Sequence, residues 1–426
     1  MNTYAKFIES KRLTHSREPC DYHDKNDALY PFQSRIVERA LSLGRSAIFA
    51  DCGLGKTIME LEWGTNVPGR VLLLAPLAVA YQTEQEAARF GYDAAIEPGH
   101  KITLTNYEKL HQFDPDDFDA IILDESSILK AHTGKTRNRL IEAFGGHKYR
   151  LACTATPSPN DFKELGNHSE FLGLMTQSEM LSMFFVHDGG STQDWRLKGH
   201  AVEEFWRWVG GWSTLIRRPS DIGYEDAGFD LPPLLFHHAV CDPVATSQSM
   251  LIPGVLPLDL SGRREVRRRT MGLRSDRAAE LAESNPGQWL MWCDLNDEST
   301  MLSRVIKGST EVRGSTPDDD KRDAFMGFAA GDIPCLVTKP RIGGWGMNWQ
   351  SCHQMAFVGV SDSYEALYQA TRRCWRFGQT EPVDVWLIYS ESESAVVENV
   401  MAKERRHAEL QDSLIKEAAQ HGFWKG

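Results

Sequence analysis

Residues 50–57 read ADCGLGKT, between an apolar run and a stretch of helical character. A glycine-rich turn there points backbone N–H groups inward, where they cradle phosphate oxygens at a helix N-terminus. In that arrangement Gly53 and Gly55 shape the turn, Lys56 reaches the β- and γ-phosphates, and the Thr57 hydroxyl ligates Mg²⁺. The strict pattern has glycine where this chain has Ala50, but the contacting residues are all present. A chance Gly-Lys-Thr in a surface turn is the competing reading. LDESS, residues 123–127, follows an apolar run of its own. Asp124, at such a strand end, is placed to hold Mg²⁺ beside nucleotide phosphates. Glu125 can orient and deprotonate an attacking water. Alone, the acidic pair could instead cap the next helix. Near the other end, QATRRCWRFGQ (369–379) spaces Arg373 and Arg376 three apart, which predicts one face of a helix. Two guanidinium groups at a domain edge could stabilise a γ-phosphate as arginine fingers. A solvated basic face is the bland alternative.

The elements that must position these residues alternate regularly. Apolar runs at 47–51, 71–76, 102–107, 120–125 and 149–157 read as buried strands, with helical stretches such as TIMELEW and TEQEAARF between several of them. Strand and helix alternating at this spacing predict a parallel sheet with crossover helices. The same rhythm returns at 289–294, 335–340, 354–360 and 383–389. The predicted fold is therefore α/β, with two parallel-sheet lobes and a helical insertion or bridge between them in sequence. The expected organisation is a tail (1–22), a first lobe (23–172), an insertion and linker rich in Trp and Arg (173–285), a second lobe (286–400) and a C-terminal helix (401–426).

Two features of the middle segment each allow two readings. Trp208 and Trp212 are four apart, which favours a helical core seam over base stacking. The arginines at 263, 264, 267, 268, 269, 274 and 277 form either a strip facing DNA or a brace on acidic surface.

Composition bounds the function. The chain has 426 residues and a formal net charge of -12, which argues against a generally basic coat but leaves room for a local basic groove. There is no apolar run of membrane-spanning length and no signal-peptide pattern at the start, so a soluble, cytoplasmic protein with no membrane partner is expected. Eight scattered cysteines without a C-x-x-C pair read as reduced and buried rather than as zinc ligands.

Taken in order, these motifs resemble those of superfamily 2 helicase-type ATPases, in the Swi/Snf-like branch, from residue 23 to about 400. YPFQ, ending at Gln33, resembles the adenine-sensing glutamine motif, and ADCGLGKT resembles motif I. LLAPLAVAYQTE, LTNYE, LDES and TATPSPNDFKELGN resemble motifs Ia, Ib, II and III. VRGST resembles the segment before motif V, TKPRIGGWGMN resembles motif V itself, and QATRRCWRFGQ motif VI. More narrowly, VHDGG, WRLKGHA and NHSEFLG resemble helicase-like proteins of bacteriophages and prophages.

The resemblance implies two RecA-like lobes with ATP and Mg²⁺ in the cleft between them. Gln33 would read the adenine edge, with Tyr30 or Phe32 stacking nearby. Gln369 and Gly344 would lie near the nucleotide, and Arg373 and Arg376 would be the fingers. Thr105, Asn106, Thr154 and Thr156 would lie along a nucleic-acid track, with Lys339 and Arg341 touching phosphates from the second lobe. The expected activity is a nucleic-acid-stimulated ATP hydrolase that translocates on or remodels duplex DNA, targeted by a partner protein. A strand-separating helicase on single-stranded DNA or RNA, and a degenerate ATPase kept as a DNA-binding or partner-recruiting module, are the alternatives. One departure stands out: Ser127 occupies the place where the family usually has His or Asp. Serine keeps a donor and an acceptor but loses reach and charge. The expectation is catalysis retained with altered coupling to nucleic acid.

Overall fold

The computed structural model describes residues 18–130, 134–158, 161–187, 195–241, 265, 267–343 and 348–420. It divides into two compact units, one of residues up to 227 together with those from 407 onward, the other of residues 228–406.

In the first unit the apolar runs become strands because both faces of each are covered. These are β1 (Arg45–Ala50), β2 (Val71–Ala75), β3 (Ala94–Ala95), β4 (Ile102–Asn106), β5 (Ala120–Leu123) and β6 (Tyr149–Cys153). A hairpin of β7 (Phe185–His187) and β8 (Trp195–Leu197) follows, and then β9 (Ser213–Ile216). The sheet order is β3-β4-β2-β5-β6-β1-β9, and every pairing is parallel. Parallel strands need long crossovers. The helices of this unit are α1 (Pro31–Leu43), α2 (Lys56–Asn66), α3 (Leu77–Phe90), α4 (Lys135–Phe144), α5 (Leu165–Phe171), α6 (Gln177–Phe184) and α7 (Val202–Trp212). β2 and β5 are buried at every residue, which is why they read as continuous apolar runs rather than alternating ones.

The second unit repeats the plan. Its strands are β10 (Leu234–Cys241), β11 (Trp289–Cys293), β12 (Ser309–Glu311), β13 (Cys335–Thr338), β14 (Gln354–Val358) and β15 (Val383–Ser390). They are ordered β10-β15-β14-β11-β13-β12 and are again all parallel. Helices α8 (Met271–Ser284), α9 (Asn296–Val305), α10 (Asp318–Ala330) and α11 (Tyr364–Thr371) belong to it, and α12 (Ser394–Gln420) starts in it. The strand period of two sends Leu290 and Trp292 into one core and Trp289, Met291 and Cys293 into another on the opposite face. Burying one such side chain contributes roughly 1.5–3 kcal/mol, so both layers matter to the lobe. The fold class is the expected one: α/β, with two RecA-like parallel-sheet lobes.

The segment 173–285 is not one helical body. Its first part supplies α6, the hairpin, α7 and the edge strand β9 to the first sheet, and its last part supplies β10 and α8 to the second unit. The short strands went unseen because aromatic residues of helical spacing dominate the segment. Trp206 and Trp212 are buried in the first core, and the Trp208 and Trp212 rings meet edge to face at 5.5 Å, the core seam that their spacing predicts. Among the described residues no helix is long and apolar enough to cross a membrane.

The arginine run resolves into two roles. Arg267 bonds Asp294 at 2.7 Å and lies 3.4 Å from Glu393, while Arg274 is fully buried and pairs with Glu298, also fully buried, at 2.7 Å. Both act as a brace within the second lobe. Arg268, Arg269 and Arg277 face solvent, and Arg263 and Arg264 lie outside the described residues.

Candidate nucleotide site

β1 ends at Ala50 and the chain turns through 51–55 into α2. Gly53 (φ 90°) and Gly55 (φ 78°) adopt left-handed backbone there, which strains residues with a side chain. At Gly55 a Cβ would also lie only 2.4 Å from Gln33 Nε2. The start of the turn is held from the middle segment: β9 pairs with β1, and Asp51 N donates to Ile216 O at 3.0 Å. The N-cap of α2 is Gly55, so no side chain caps its first N–H groups. Lys56 Nζ folds back to donate to Ala50 O at 3.1 Å, and Thr57 sits half-buried in the first helical turn. Burial pulls the Lys56 amine down, but Cys52, Glu125, Asp124 and Asp51 around it outweigh burial, and its pKa stands above the ordinary lysine value.

The acidic pair closes on this loop. Asp124 N donates to Leu74 O at 2.8 Å, Tyr107 Oη donates to Asp124 O at 2.6 Å, and Asp124 Oδ1 accepts from Glu125 N at 2.8 Å. Burial, and next the charge of Glu125, push the Asp124 carboxyl up to about 7 against the opposing pull of Lys56. Glu125 is the one non-glycine with positive φ (52°) among the described residues, a strained backbone that aims its side chain. Thr154 Oγ1 donates to Glu125 Oε2 at 3.3 Å.

These groups fit a nucleotide with Mg²⁺. The Thr57 hydroxyl and Asp124 carboxylate are hard oxygen donors, and Mg²⁺ is typically held by few protein ligands plus phosphates and water. Among the described residues no group of three or more His, Cys, Asp or Glu could hold a metal ion by itself. Gln33 is buried against the same loop, its Nε2 donating to Leu54 O at 2.9 Å and its Oε1 accepting from Tyr30 N at 2.9 Å. Tyr30 is half exposed, and its ring stacks on Phe32 with centroids 6.1 Å apart.

The residues expected along a nucleic-acid track are placed differently from one another. Thr154 and Thr156 are fully buried, and Thr156 N donates to Thr154 Oγ1 at 3.1 Å, so this pair supports Glu125. Thr105 is buried, and the Asn106 side chain caps the following 3₁₀ turn by accepting from Lys109 N at 2.9 Å.

In the second lobe Lys339 Nζ donates to Asn296 Oδ1 at 2.6 Å, Arg341 is exposed and Gln369 is half-buried on α11. Gly344 lies outside the described residues. Arg373 and Arg376 are not on one helical face as their spacing suggests. α11 ends at Thr371, and both arginines sit half-buried in the turn beyond it. Gln379 holds that turn, its Nε2 donating to Cys374 O and Cys352 O and its Oε1 accepting from Thr380 N and Glu381 N, while Gly378 (φ 90°) redirects the chain. The neighbouring Arg372 is buried over Trp375 (4.1 Å) and Tyr368 (5.0 Å), which gives it a packing role.

Two groups near the first-lobe site escaped the sequence reading. Glu60, one helical turn after Lys56, is fully buried beside Asp124 and Cys153, and burial, with the charge of Asp124 adding to it, raises its pKa well above the carboxylate range. His168 on α5 is fully buried, with Nε2 3.1 Å from Ser126 Oγ. The α5 residue before it, Asn167, donates to Lys130 O at 3.1 Å. The turn that carries the acidic pair is thus anchored to α5 through the Ser126 side chain and the Lys130 carbonyl.

Burial lowers the His168 pKa to about 4. The folded protein keeps it neutral, while the unfolded chain takes up a proton below its ordinary value of about 6.5. The stability from keeping it neutral is complete above that value and is lost as pH falls from about 6.5 to 4, a change of about 3 kcal/mol. His168→Gln removes the titration. Wild type is expected to lose stability relative to this variant across that window in pH-resolved melts. Parallel curves would contradict the assignment.

No known family model matches the chain, and no curated protein does. Among solved structures the chain is similar to the Sulfolobus solfataricus SWI2/SNF2 ATPase core in complex with dsDNA, at 18% sequence identity and a TM-score of 0.43, covering 90% of this chain and 96% of that one.

Proposed function

We propose that this chain is an ATP-dependent motor, stimulated by nucleic acid, that hydrolyses ATP to translocate on or remodel duplex DNA. The observation that carries the reading is the convergence of Lys56, Asp124 and Glu125 on one glycine-shaped loop, with Thr154 hydrogen-bonded to Glu125. The loop N–H groups and Lys56 bind the phosphates. Mg²⁺, when bound, neutralises charge on the phosphate oxygens. Glu125 orients the attacking water and takes its proton. Arg373 and Arg376 are the guanidinium groups that this reading assigns to the charge on the γ-phosphate. Gripping the nucleic-acid backbone through Lys339 and Arg341 would make binding independent of sequence and weaker in salt. The completeness of the Lys56, Asp124 and Glu125 set speaks against a degenerate ATPase.

Triplex displacement and fork unwinding, run side by side, test the reading. Displacement of a third strand that requires ATP, without fork opening, is expected. Fork opening alone would favour the strand-separating alternative. Lys56→Ala removes the phosphate-contacting amine and is expected to cost about 10²–10³-fold in turnover. Stimulated turnover that persists in Lys56→Ala would overturn the role given to Lys56.

A further inference from the structure

Residues 18–30, which lead into Gln33, form no helix or strand. Side chains from α2 hold much of their course. Glu62, fully buried on α2, accepts from Tyr22 Oη at 2.7 Å and Asn26 N at 3.0 Å through Oε1, and from Tyr92 Oη at 2.7 Å through Oε2. One turn further along α2, Asn66 Oδ1 accepts from His23 N at 3.0 Å and Asp24 N at 2.9 Å, and its Nδ2 donates to Asp24 O at 3.0 Å. Asn26 Nδ2 in turn donates to Phe90 O at 2.8 Å. Burial, and next the Glu62 carboxylate, hold the Tyr22 and Tyr92 phenols well above their usual pKa range, so both stay donors.

The same helix therefore bears two loads. Its N-terminus carries Lys56, and six residues on, roughly 9 Å along the axis, Glu62 fixes the segment that delivers Gln33. Gln33 also touches the phosphate loop through Leu54 O. Gln33 lies in the first turn of α1, and its Oε1 accepts from Tyr30 N at the end of the clamped segment, so the placement of that segment on α2 bears on the base contact.

We propose that Glu62, with Tyr22, Tyr92 and Asn66, forms a clamp that sets the distance from base to phosphate and so determines the preference for adenine nucleotides. Glu62 is a positioning residue acting through Gln33, and the inference rests on the nucleotide site proposed above. A clamp that only stabilised the lobe would not distinguish one base from another.

The test measures binding of Mg²⁺–ATP, Mg²⁺–GTP and inorganic tripolyphosphate to wild type, Glu62→Gln and the Tyr22→Phe/Tyr92→Phe double variant. The double variant removes only two hydroxyls and preserves ring packing, so it guards against misfolding of the Glu62 variant. Both variants are expected to lose about tenfold in ATP affinity, of the order of one hydrogen bond to a charged group. Affinities for GTP and tripolyphosphate should stay within twofold of wild type, so the ATP-to-GTP ratio collapses. A ratio unchanged in the double variant, or equal weakening of all three ligands, overturns the clamp. Wild type that binds tripolyphosphate but does not prefer ATP to GTP overturns the adenine role of Gln33, and the clamp with it. Wild type that binds none of the three refutes the nucleotide site itself.

Discussion

Glu125→Gln is expected to lower ATP turnover by about 10²–10⁴-fold while leaving nucleotide affinity close to wild type. The amide keeps the size and polarity of the carboxylate but cannot take a proton from water. Affinity should survive because Lys56, the loop N–H groups and Asp124 are untouched, and because Gln tolerates the backbone at φ 52° no worse than Glu. Thr154 can still donate to the amide oxygen, so the local geometry is preserved. Single-turnover hydrolysis alongside nucleotide titration separates the two effects. Turnover within a few-fold of wild type would show that another group activates the water. Loss of binding would show that Glu125 is part of the phosphate cradle instead.

The largest expected effect on stability lies in the other lobe. Arg274→Ala leaves Glu298 buried without its ion partner, and breaking a buried pair in this way costs about 3–5 kcal/mol. The lower end is the better expectation, because Glu298 Oε2 still accepts from Asp294 N and Leu295 N at the start of α9. For a lobe of this size each kcal/mol shifts the melting temperature by roughly 2–4 °C, so a drop of about 6–12 °C should be seen. Gly359 provides a second handle on the same site. A Cβ there would lie 2.2 Å from Arg274 Nη1, and the residue has φ 84°, so Gly359→Ala should also destabilise the lobe. An Arg274→Ala variant that melts within a degree or two of wild type would mean that the pair is not buried in solution.

The parts of this architecture that were legible in the sequence are those set by local chemistry. Strands covered on both faces appear as unbroken apolar runs, and the turn at 51–55 declares itself by glycines that its backbone requires. Contacts made only by tertiary packing left no local trace. Ser126 and His168 are 42 residues apart, and Glu62 meets Tyr22 across 40. The turn holding Arg373 and Arg376 looked helical because the residues before it are, but α11 stops at Thr371 and the distant amide of Gln379 closes the turn on Cys374 O. The arginine run could not be divided by pattern alone. Arg274 differs from Arg277 by the carboxylate waiting for it on another helix, not by its own neighbours.

The central claim is that this site hydrolyses ATP in response to duplex DNA. The most direct measurement is steady-state ATP turnover with no nucleic acid, with duplex DNA, with single-stranded DNA and with RNA, at one fixed salt concentration. The account predicts low turnover alone, the greatest stimulation by duplex DNA, and loss of that stimulation in Glu125→Gln. Equal turnover in all four conditions would contradict it.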